Sequence, residues 1–366
     1  MKNKKKNIKT AFVTFFPIIP NTNGSASMIN NRFKFWPIEK KIFQMSNSKI
    51  NYKHITTVYI QKEKPINKVL KLPLMIYKII SYLKNANKKI LVIEGASWIF
   101  FSFVVLLSIK LLSPKTYTLY LSHNVEVEIR KNYSNKFIYI LTKFLEKIVF
   151  NLSDLSTVVS EKDKDKIKNI YNIKPLIYPN ALDFNFKVKE KNIKKDYIIY
   201  TGSYLYKPNK DAIDYLNKKI MPKLLKKIPN LKLVLTGGGF KEKFPWVINK
   251  NIVSKNDLYN LIYHSKCMCV PLKNGSGTRI KILEALILGS VVISTKKGIE
   301  GIELLNNNPP FIVNKREKVT NILFKILSNK INFKSKAKKD SFYYKKKYSM
   351  KFITKNFLKD YVFKLI

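Results

Sequence analysis

Twice along this chain, short apolar runs of strand length alternate with longer stretches of helical periodicity, and a lysine-dense gap separates the two series. In the first half the strand-like runs fall at 9–15, 55–60, 89–93, 116–121 and 156–159, with helical patterns at 25–35, 66–83, 98–112, 135–150 and 161–171. Ser160 stands where an N-cap is wanted, with Asp163 in the following first turn. Strand, helix, strand at this spacing builds βαβ units and a parallel sheet. The pattern breaks at Tyr178-Pro179-Asn180-Ala181, and a weakly apolar linker runs from Phe186 to Lys195. It restarts with strands at 197–200, 232–236, 267–271, 291–295 and 311–313 and helices at 209–226, 257–265, 280–288 and 317–328. A chain of 366 residues can bury two cores of this kind. We therefore expect two α/β domains, 1–183 and 184–346. Residues 347–366 carry Phe352, Phe357, Leu358 and Val362 at roughly helical spacing, an amphipathic helix expected to pack back on the first domain.

Open parallel sheets bind ligands outside the carboxyl ends of their strands. That rule points to the loops at 17–24, 95–97 and 122–124 in the first half, and to 202–203, 237–239, 273–278 and 296–301 in the second. The chain has only 11 glycines, and most of them sit in these loops. In so glycine-poor a sequence, that concentration signals close backbone approach or special dihedrals at the strand ends.

The charge is lopsided: Lys+Arg is 70 against 23 Asp+Glu, a formal net charge of +47. Nearly all of it is lysine, with arginine only at Arg32, Arg130, Arg279 and Arg316. Lysine, asparagine and isoleucine are abundant together, as codon bias in an AT-rich genome produces, and compositional drift over the surface accounts for much of the excess. Such a field nevertheless favours phosphates, nucleic acid or an anionic bilayer. Cys267 and Cys269 lie on an apolar run and suit a buried strand in a reducing compartment better than a metal site. The longest apolar stretch, 98–109, ends at Lys110 and falls short of the ~20 residues a membrane span needs. The basic start, with Lys2, Lys4, Lys5, Lys6 and Lys9, is followed by a strand-like run without a long apolar core or a cleavage site. A cytoplasmic protein without a signal peptide is the expectation.

The densest segment runs from Val270 to Leu286. A strand stops at Pro271, a loop of small residues follows, and a helix starts near Thr278, a candidate cap. Free N–H groups at that helix start, with Arg279 and Lys281, suit a phosphate or diphosphate. Glu284, one turn in, suits two ribose hydroxyls. A solvated helix face with a Lys281–Glu284 ion pair is the bland alternative. Against it stands Arg279, a scarce arginine where its charge opposes the helix dipole, which makes sense with an anion between the cations.

Gly275-Ser276-Gly277-Thr278-Arg279-x-Lys281-x-x-Glu284-Ala285, followed by Gly289-x-Val291-Val292 and Gly298-x-Glu300-Gly301, resembles the donor-site signature of retaining glycosyltransferase family 4. Tyr200-Thr201-Gly202-Ser203 with Pro208-Asn209-x-Asp211-Ala212 resembles the first turn of that family's donor domain, and Leu235-Thr236-Gly237 its second strand end. Val159-Ser160-Glu161-x-Asp163 and Tyr178-Pro179-Asn180-x-x-Asp183 resemble the close of its acceptor domain. The resemblance covers about residues 116–302; before that it holds in architecture and in the Gly24 loop. The family holds its donor with two glutamates; the second matches Glu284, and Ser276 stands at the first, a departure that bears on sugar identity. The basic pair that many members place after the first donor strand is replaced by neutral Ser203 and Pro208 or Asn209, with Lys207 nearby as a substitute.

The resemblance implies a GT-B fold, two Rossmann-like domains facing across a cleft, and a nucleotide-sugar donor. The donor residues it implies are Gly202, Ser203, Lys207, Gly237, Ser276, Gly277, Thr278, Arg279, Lys281 and Glu284. Gly24, Ser25 and Asn124 belong to the acceptor-side loops. Arg279 and Lys281 would stabilise the leaving diphosphate, and His123, in a loop where the family often has a histidine, would orient sugar or acceptor. His123 as an ordinary structural histidine stays open beside that role. No metal or other cofactor is expected; Asp163-Lys164-Asp165 spells D-x-D on a charged helix, the usual mark of a solvated face. The acceptor implied is a surface glycan of lipopolysaccharide, capsule or exopolysaccharide type, lipid-linked, with the protein peripheral on the inner face of the cell membrane. Trp36 and residues 98–103 are the candidate apolar contacts there, with a buried helix the favoured reading of the latter. Three alternatives remain: a degenerate, inactive transferase, since Ser276 and Ser203 depart from the pattern; a hydrolysing nucleotide-sugar epimerase on the same fold; and a non-enzymatic basic nucleic-acid-binding protein. The last one's best support is the aromatic and lysine-rich run from Phe342 to Tyr348, which leaves two α/β domains unexplained, so nucleic acid is not the favoured partner.

Overall fold

The computed structural model of the chain describes residues 7–19, 24–48, 52–183, 196–274, 278–305, 311–328 and 333–366, with 132 and 133 described by backbone alone. The linker expected from Phe186 to Lys195, the lysines from Lys2 to Lys6, and Ser276 and Gly277 lie outside those residues. The chain divides into two compact units, Met1–Ala181 with Met350–Ile366, and Leu182–Ser349. The division falls just before the expected boundary, after Ala181, and the chain rejoins the first unit at Met350 instead of 347.

The first unit holds a seven-stranded sheet of β1 (Ile8–Thr14), β2 (Glu39–Ser46), β3 (Ile55–Tyr59), β4 (Lys88–Gly95), β5 (Thr116–Ser122), β6 (Leu155–Val158) and β7 (Leu176–Ile177). Their order is β3-β2-β1-β4-β5-β6-β7, and the pairings are parallel. The second unit holds β8 (Tyr197–Thr201), β9 (Lys232–Thr236), β10 (Val247–Asn249), β11 (Cys267–Val270), β12 (Val292–Thr295) and β13 (Phe311–Val313), ordered β10-β9-β8-β11-β12-β13 and again parallel. In both, the chain winds outward from the first strand and then doubles back. The strand order reverses between β1 and β4 and between β8 and β11, and such switch points are where doubly wound sheets open a crevice.

Burial on both faces explains the near-continuous apolar runs. Phe12 and Val13 are fully buried and join opposite core clusters, because successive side chains leave a strand on opposite sides. Val13 shares a core with Leu91, Met75, Val105 and Leu145; Phe12 shares one with Val92, Ile29, Trp36 and Phe357. The terminal segment thus packs in the first unit, where Phe357 stacks on Tyr178 at 4.3 Å between ring centroids. Trp36 is buried and its Nε1 donates to Thr10 Oγ1 at 3.0 Å, and Phe101 is buried too. Trp36 is therefore core, which corrects the expectation that it offers an apolar contact to a membrane; in the 98–103 region Ile99, Phe101 and Ser102 are buried, as the buried-helix reading of that run has it, while Trp98, Phe100 and Phe103 are half-buried.

Ser160 caps helix Glu161–Tyr171 as expected, its Oγ accepting from Asp163 N at 3.2 Å and donating to Asp163 Oδ2 at 2.8 Å. Asp163 of the D-x-D triplet is therefore the reciprocal half of a helix cap. The helix expected at 209–226 is interrupted by a π turn at Leu216–Ile220. Pro222 follows it and has no N–H to continue the α-helical ladder, so the chain widens one turn before it. β2 escapes the apolar pattern because its first three residues, Glu39, Lys40 and Lys41, lie at a solvated end while the last five are buried. Helix Phe333–Lys347 escapes it because eleven of its fifteen residues are lysine or aromatic without a clear stripe. Tyr344 and Tyr348 are buried there, their hydroxyls accepting from Leu305 N at 3.3 Å and Glu303 N at 2.8 Å. These two tyrosines are spent on a loop of their own unit and are not presented for stacking on bases.

Candidate active site

In the second unit, β8 ends at Thr201 and the backbone turns at Gly202, whose φ of +129° lies outside the range ordinary side chains adopt. A Cβ on Gly202 would fall 2.6 Å from Lys281 Nζ and 2.8 Å from Asn209 Nδ2. Gly237, at the end of β9 with φ +108°, presses on the same turn; a Cβ there would stand 2.4 Å from the Gly202 carbonyl carbon. The two strand ends are pinned by Gly202 N donating to Thr236 O at 2.9 Å and Tyr204 N to Gly238 O at 3.0 Å. Glycine is needed at both positions because two loops and a lysine head share the space of one side chain.

Asn209 is the hub of this turn. Its Oδ1 accepts from Tyr200 Oη at 2.8 Å and from Lys281 Nζ at 2.9 Å, while its Nδ2 donates to Ser203 O at 2.9 Å. Lys281 Nζ also lies 4.1 Å above the Tyr200 ring. Burial, reinforced by the neighbouring Arg279, pushes the Lys281 ammonium down to about 7. Arg279 is the N-cap residue of helix Ile280–Ile287, and its carbonyl accepts from Ile282 N at 2.9 Å. Thr278 is not the cap expected of it; its Oγ1 donates to Gly301 O at 3.3 Å and ties this loop to the one after β12. Glu284 is buried, and burial raises its carboxyl to about 7, with Lys255 and Tyr259 pulling the other way. Tyr259 Oη donates to Glu284 Oε1 at 3.5 Å. Among the described residues Lys281 and Glu284 form no ion pair: the lysine turns to Asn209 and Tyr200, so the bland helix-face reading is not what the structure holds.

The first unit gathers a second constellation at the carboxyl ends of β4 and β5. Arg32, Glu94 and His123 are all buried. Arg32 Nη1 donates to Glu94 Oε2 at 2.5 Å, and the same oxygen lies 2.7 Å from His123 Nε2. The Arg32 guanidinium lies 4.6 Å from the Tyr178 ring centroid. Burial alone would raise the Glu94 carboxyl, but Arg32 and His123 outweigh it and hold it below the ordinary carboxylate range. Beside His123, Ser122 Oγ donates to the Asn124 carbonyl at 2.5 Å. Helix Glu126–Tyr133 follows, its first two N–H groups bound by the buried Glu146 carboxylate at 2.7 and 3.1 Å.

Residues 195–329 match the family model for glycosyl transferases group 1. The chain carries a group 1 glycosyl transferase domain. Its whole length has the GT-B fold. Sucrose-phosphate synthase from Thermosynechococcus elongatus superposes with a TM-score of 0.74 at 12% identity, covering 98% of this chain and 99% of that one. Anabaena HepE, solved in complex with UDP and glucose, superposes with a TM-score of 0.73 at 10% identity, covering 98% and 100%. At such identities the likeness is one of fold. A Klebsiella pneumoniae protein described as an uncharacterized 44.6 kDa protein in the cps region is 28% identical over 141 residues, 35% of this chain. The match spans 34% of that relative's length.

Within the glycosyl transferase domain, the structure brings together Gly202, Ser203, Gly237, Arg279 and Lys281, with Glu284 one turn along the same helix. Lys207 is exposed at the first position of helix Lys207–Tyr215. In the first unit Gly24 opens helix Gly24–Phe35, with Ser25 beside it half-buried. Sequence reasoning missed Asn209 as a site residue, because a neutral side chain stood where a basic one was sought. It also missed Arg32 and Glu94. The available signals were a scarce arginine and an acid closing an otherwise apolar strand, Lys-Ile-Leu-Val-Ile-Glu.

Proposed function

We propose that the protein is a retaining glycosyltransferase of family 4 that moves a sugar from a nucleotide-sugar to a surface-glycan acceptor. The observation that carries this reading is the turn at the ends of β8 and β9, where Gly202 and Gly237 let two strand-end loops close against the Lys281 head, with Arg279 two residues before it at the start of the same helix. The donor's diphosphate belongs there, on two cations and the first turn of helix Ile280–Ile287. Glu284 takes the ribose hydroxyls. As the bond from the anomeric carbon to the β-phosphate oxygen breaks, negative charge grows on that phosphate, and Arg279 and Lys281 stabilise it. The acceptor hydroxyl attacks from the leaving-group side and gives its proton to the departing phosphate oxygen. His123, its ring held by Glu94, orients sugar or acceptor. No metal enters this scheme. The cps-region relative favours a capsule-type glycan as acceptor, in keeping with a lipid-linked chain met at the inner face of the cell membrane.

A thermal-shift panel of nucleotide-sugars, UDP-sugars first, identifies the donor. Release of the nucleoside diphosphate is then followed with lipid-linked glycan extracts, and NMR reads the anomeric configuration of the product. A donor that raises Tm and yields product of unchanged configuration supports the reading. No response to any nucleotide, or an inverted product, overturns it.

A further inference from the structure

We infer that helices Pro65–Leu83, Ile99–Leu112 and Lys136–Leu152 of the first unit form a face that seats on an anionic lipid bilayer. The inference deepens the proposed function and rests on it only for the acceptor being lipid-linked. The three helices share one core on one side of the sheet, through Met75, Val105 and Leu145, and the middle helix packs against both others. A helix buried along one stripe normally turns a polar face to water. These do not. Ile66, Leu70, Leu74 and Tyr77 form an exposed stripe at spacings of about one turn, with Leu70 70% exposed. Leu107, Leu111 and Leu112 continue it on the second helix, and Phe137, Ile140 and Phe144 on the third, with Leu111 72% and Phe137 71% exposed. Single exposed apolar residues are ordinary; stripes on three adjoining helices are a patch. Between the first two helices opens a groove of about 580 Å³ lined by Val69, Leu72, Ile76, Ile80, Phe100 and Val104.

The charge on this face names the occupant. Residues 64–84 carry Lys64, Lys68, Lys71, Lys78 and Lys84 and no acid, and residues 99–115 carry Lys110 and Lys115 and no acid. The third helix adds Lys136, Lys143 and Lys147, and its one acid, Glu146, is buried. Among the described residues only Lys110 of these is seen in an ion pair, with Asp154 at 2.7 Å. Apolar residues that reach toward acyl chains, interleaved with lysines that extend to phosphate headgroups, are the composition of an interfacial surface. A second copy seated on this face by two-fold symmetry would set the same lysines against each other. No helix among the described residues is long and apolar enough to cross a membrane, so the face lies on the bilayer. The apolar contacts are thus the outer stripes of these helices, and not Trp36, which is core.

The full chain is floated with phosphatidylcholine vesicles containing roughly a third phosphatidylglycerol, and with phosphatidylcholine alone. It should float with the anionic vesicles, stay down with the neutral ones, and release at about 0.5 M salt. Leu70→Gln combined with Leu111→Gln and Phe144→Gln should cut the floating fraction by about tenfold or more while leaving Tm and UDP binding unchanged, since all three side chains are exposed. Lys71→Gln with Lys143→Gln and Lys147→Gln should weaken flotation and flatten its salt dependence. Wild-type flotation unaffected by the three glutamines overturns the inference. So does equal flotation on neutral vesicles, or a dimer in sedimentation that the glutamines dissolve while nothing floats. UDP binding without flotation defeats this inference alone; flotation without binding of any nucleotide defeats the transferase reading alone.

Discussion

Glu94 Oε2 stands 2.7 Å from His123 Nε2 while accepting Arg32 Nη1 at 2.5 Å. An ionised carboxylate only accepts, so Nε2 carries the hydrogen in this contact. The arginine keeps the fully buried carboxylate charged, and the carboxylate holds the imidazole through Nε2. A buried ion pair adds little net stability by itself, but it is costly to break on one side.

His123→Ala is expected to lower turnover more than about tenfold, the low end of what a positioned group supplies, with nucleotide affinity barely changed. Steady-state rates with calorimetric UDP affinity check it. An ordinary rate, or loss of folding in place of turnover, returns His123 to a structural role. Arg32→Leu should cost about 3–5 kcal/mol of stability by stranding Glu94, and Arg32→Leu with Glu94→Leu should recover part of it in denaturant melts.

For the nucleotide site the expected loss is direct. Arg279→Ala removes charge-assisted contacts to the diphosphate and should weaken binding of the preferred nucleoside diphosphate by about 1.5–3 kcal/mol. Calorimetry with UDP and GDP reads it; unchanged affinity for every nucleotide, with Tm intact, would remove Arg279 from the site.

Nucleotide binding should also take up a proton above neutral pH. In the free protein Lys281 titrates at about 7, so at pH 8 it is mostly neutral. A bound diphosphate raises that value and draws the proton back. Affinity should therefore fall as pH rises above about 7, by up to about tenfold per unit while the bound lysine stays charged. Binding enthalpies in buffers of different ionisation heat measure the uptake. The uptake should shrink in Lys281→Met; an unchanged uptake there would assign it to another group.

Stability carries a pH signature of its own at Glu146. Burial raises this carboxyl to about 7 against an ordinary value of 4.5, despite the N–H groups and Tyr171 hydroxyl that favour its charge. The folded state then binds more protons than the unfolded one between those values, so this contribution is present below pH 4.5 and lost as pH rises through about 7. Melting curves of wild type and Glu146→Gln should show the wild type losing stability relative to the variant across that window. A constant difference between the two would place the Glu146 titration elsewhere.

Local pattern was enough for much of this molecule. Runs such as Ala-Phe-Val and Ile-Leu-Val-Ile bury on both faces wherever they are placed, so they mark central strands without any knowledge of neighbours. Ser160 caps the helix after it because capping needs only residues three apart. Gly202 and Gly237 at strand ends, and Arg279 with Lys281 at a helix start, likewise raise the expectation of a phosphate site from short-range chemistry. What the pattern left open depends on residues distant in the chain. β2 is a strand because β1 lies beside it, and Asn209 is a hub because Lys281, 72 residues on, reaches it. Arg32, Glu94 and His123 meet across 62 and 29 residues. The outer stripes of three helices become one face only when a sheet aligns them. Burial, pairing and shared charge are properties of proximity, and proximity between distant segments is decided by the tertiary fold.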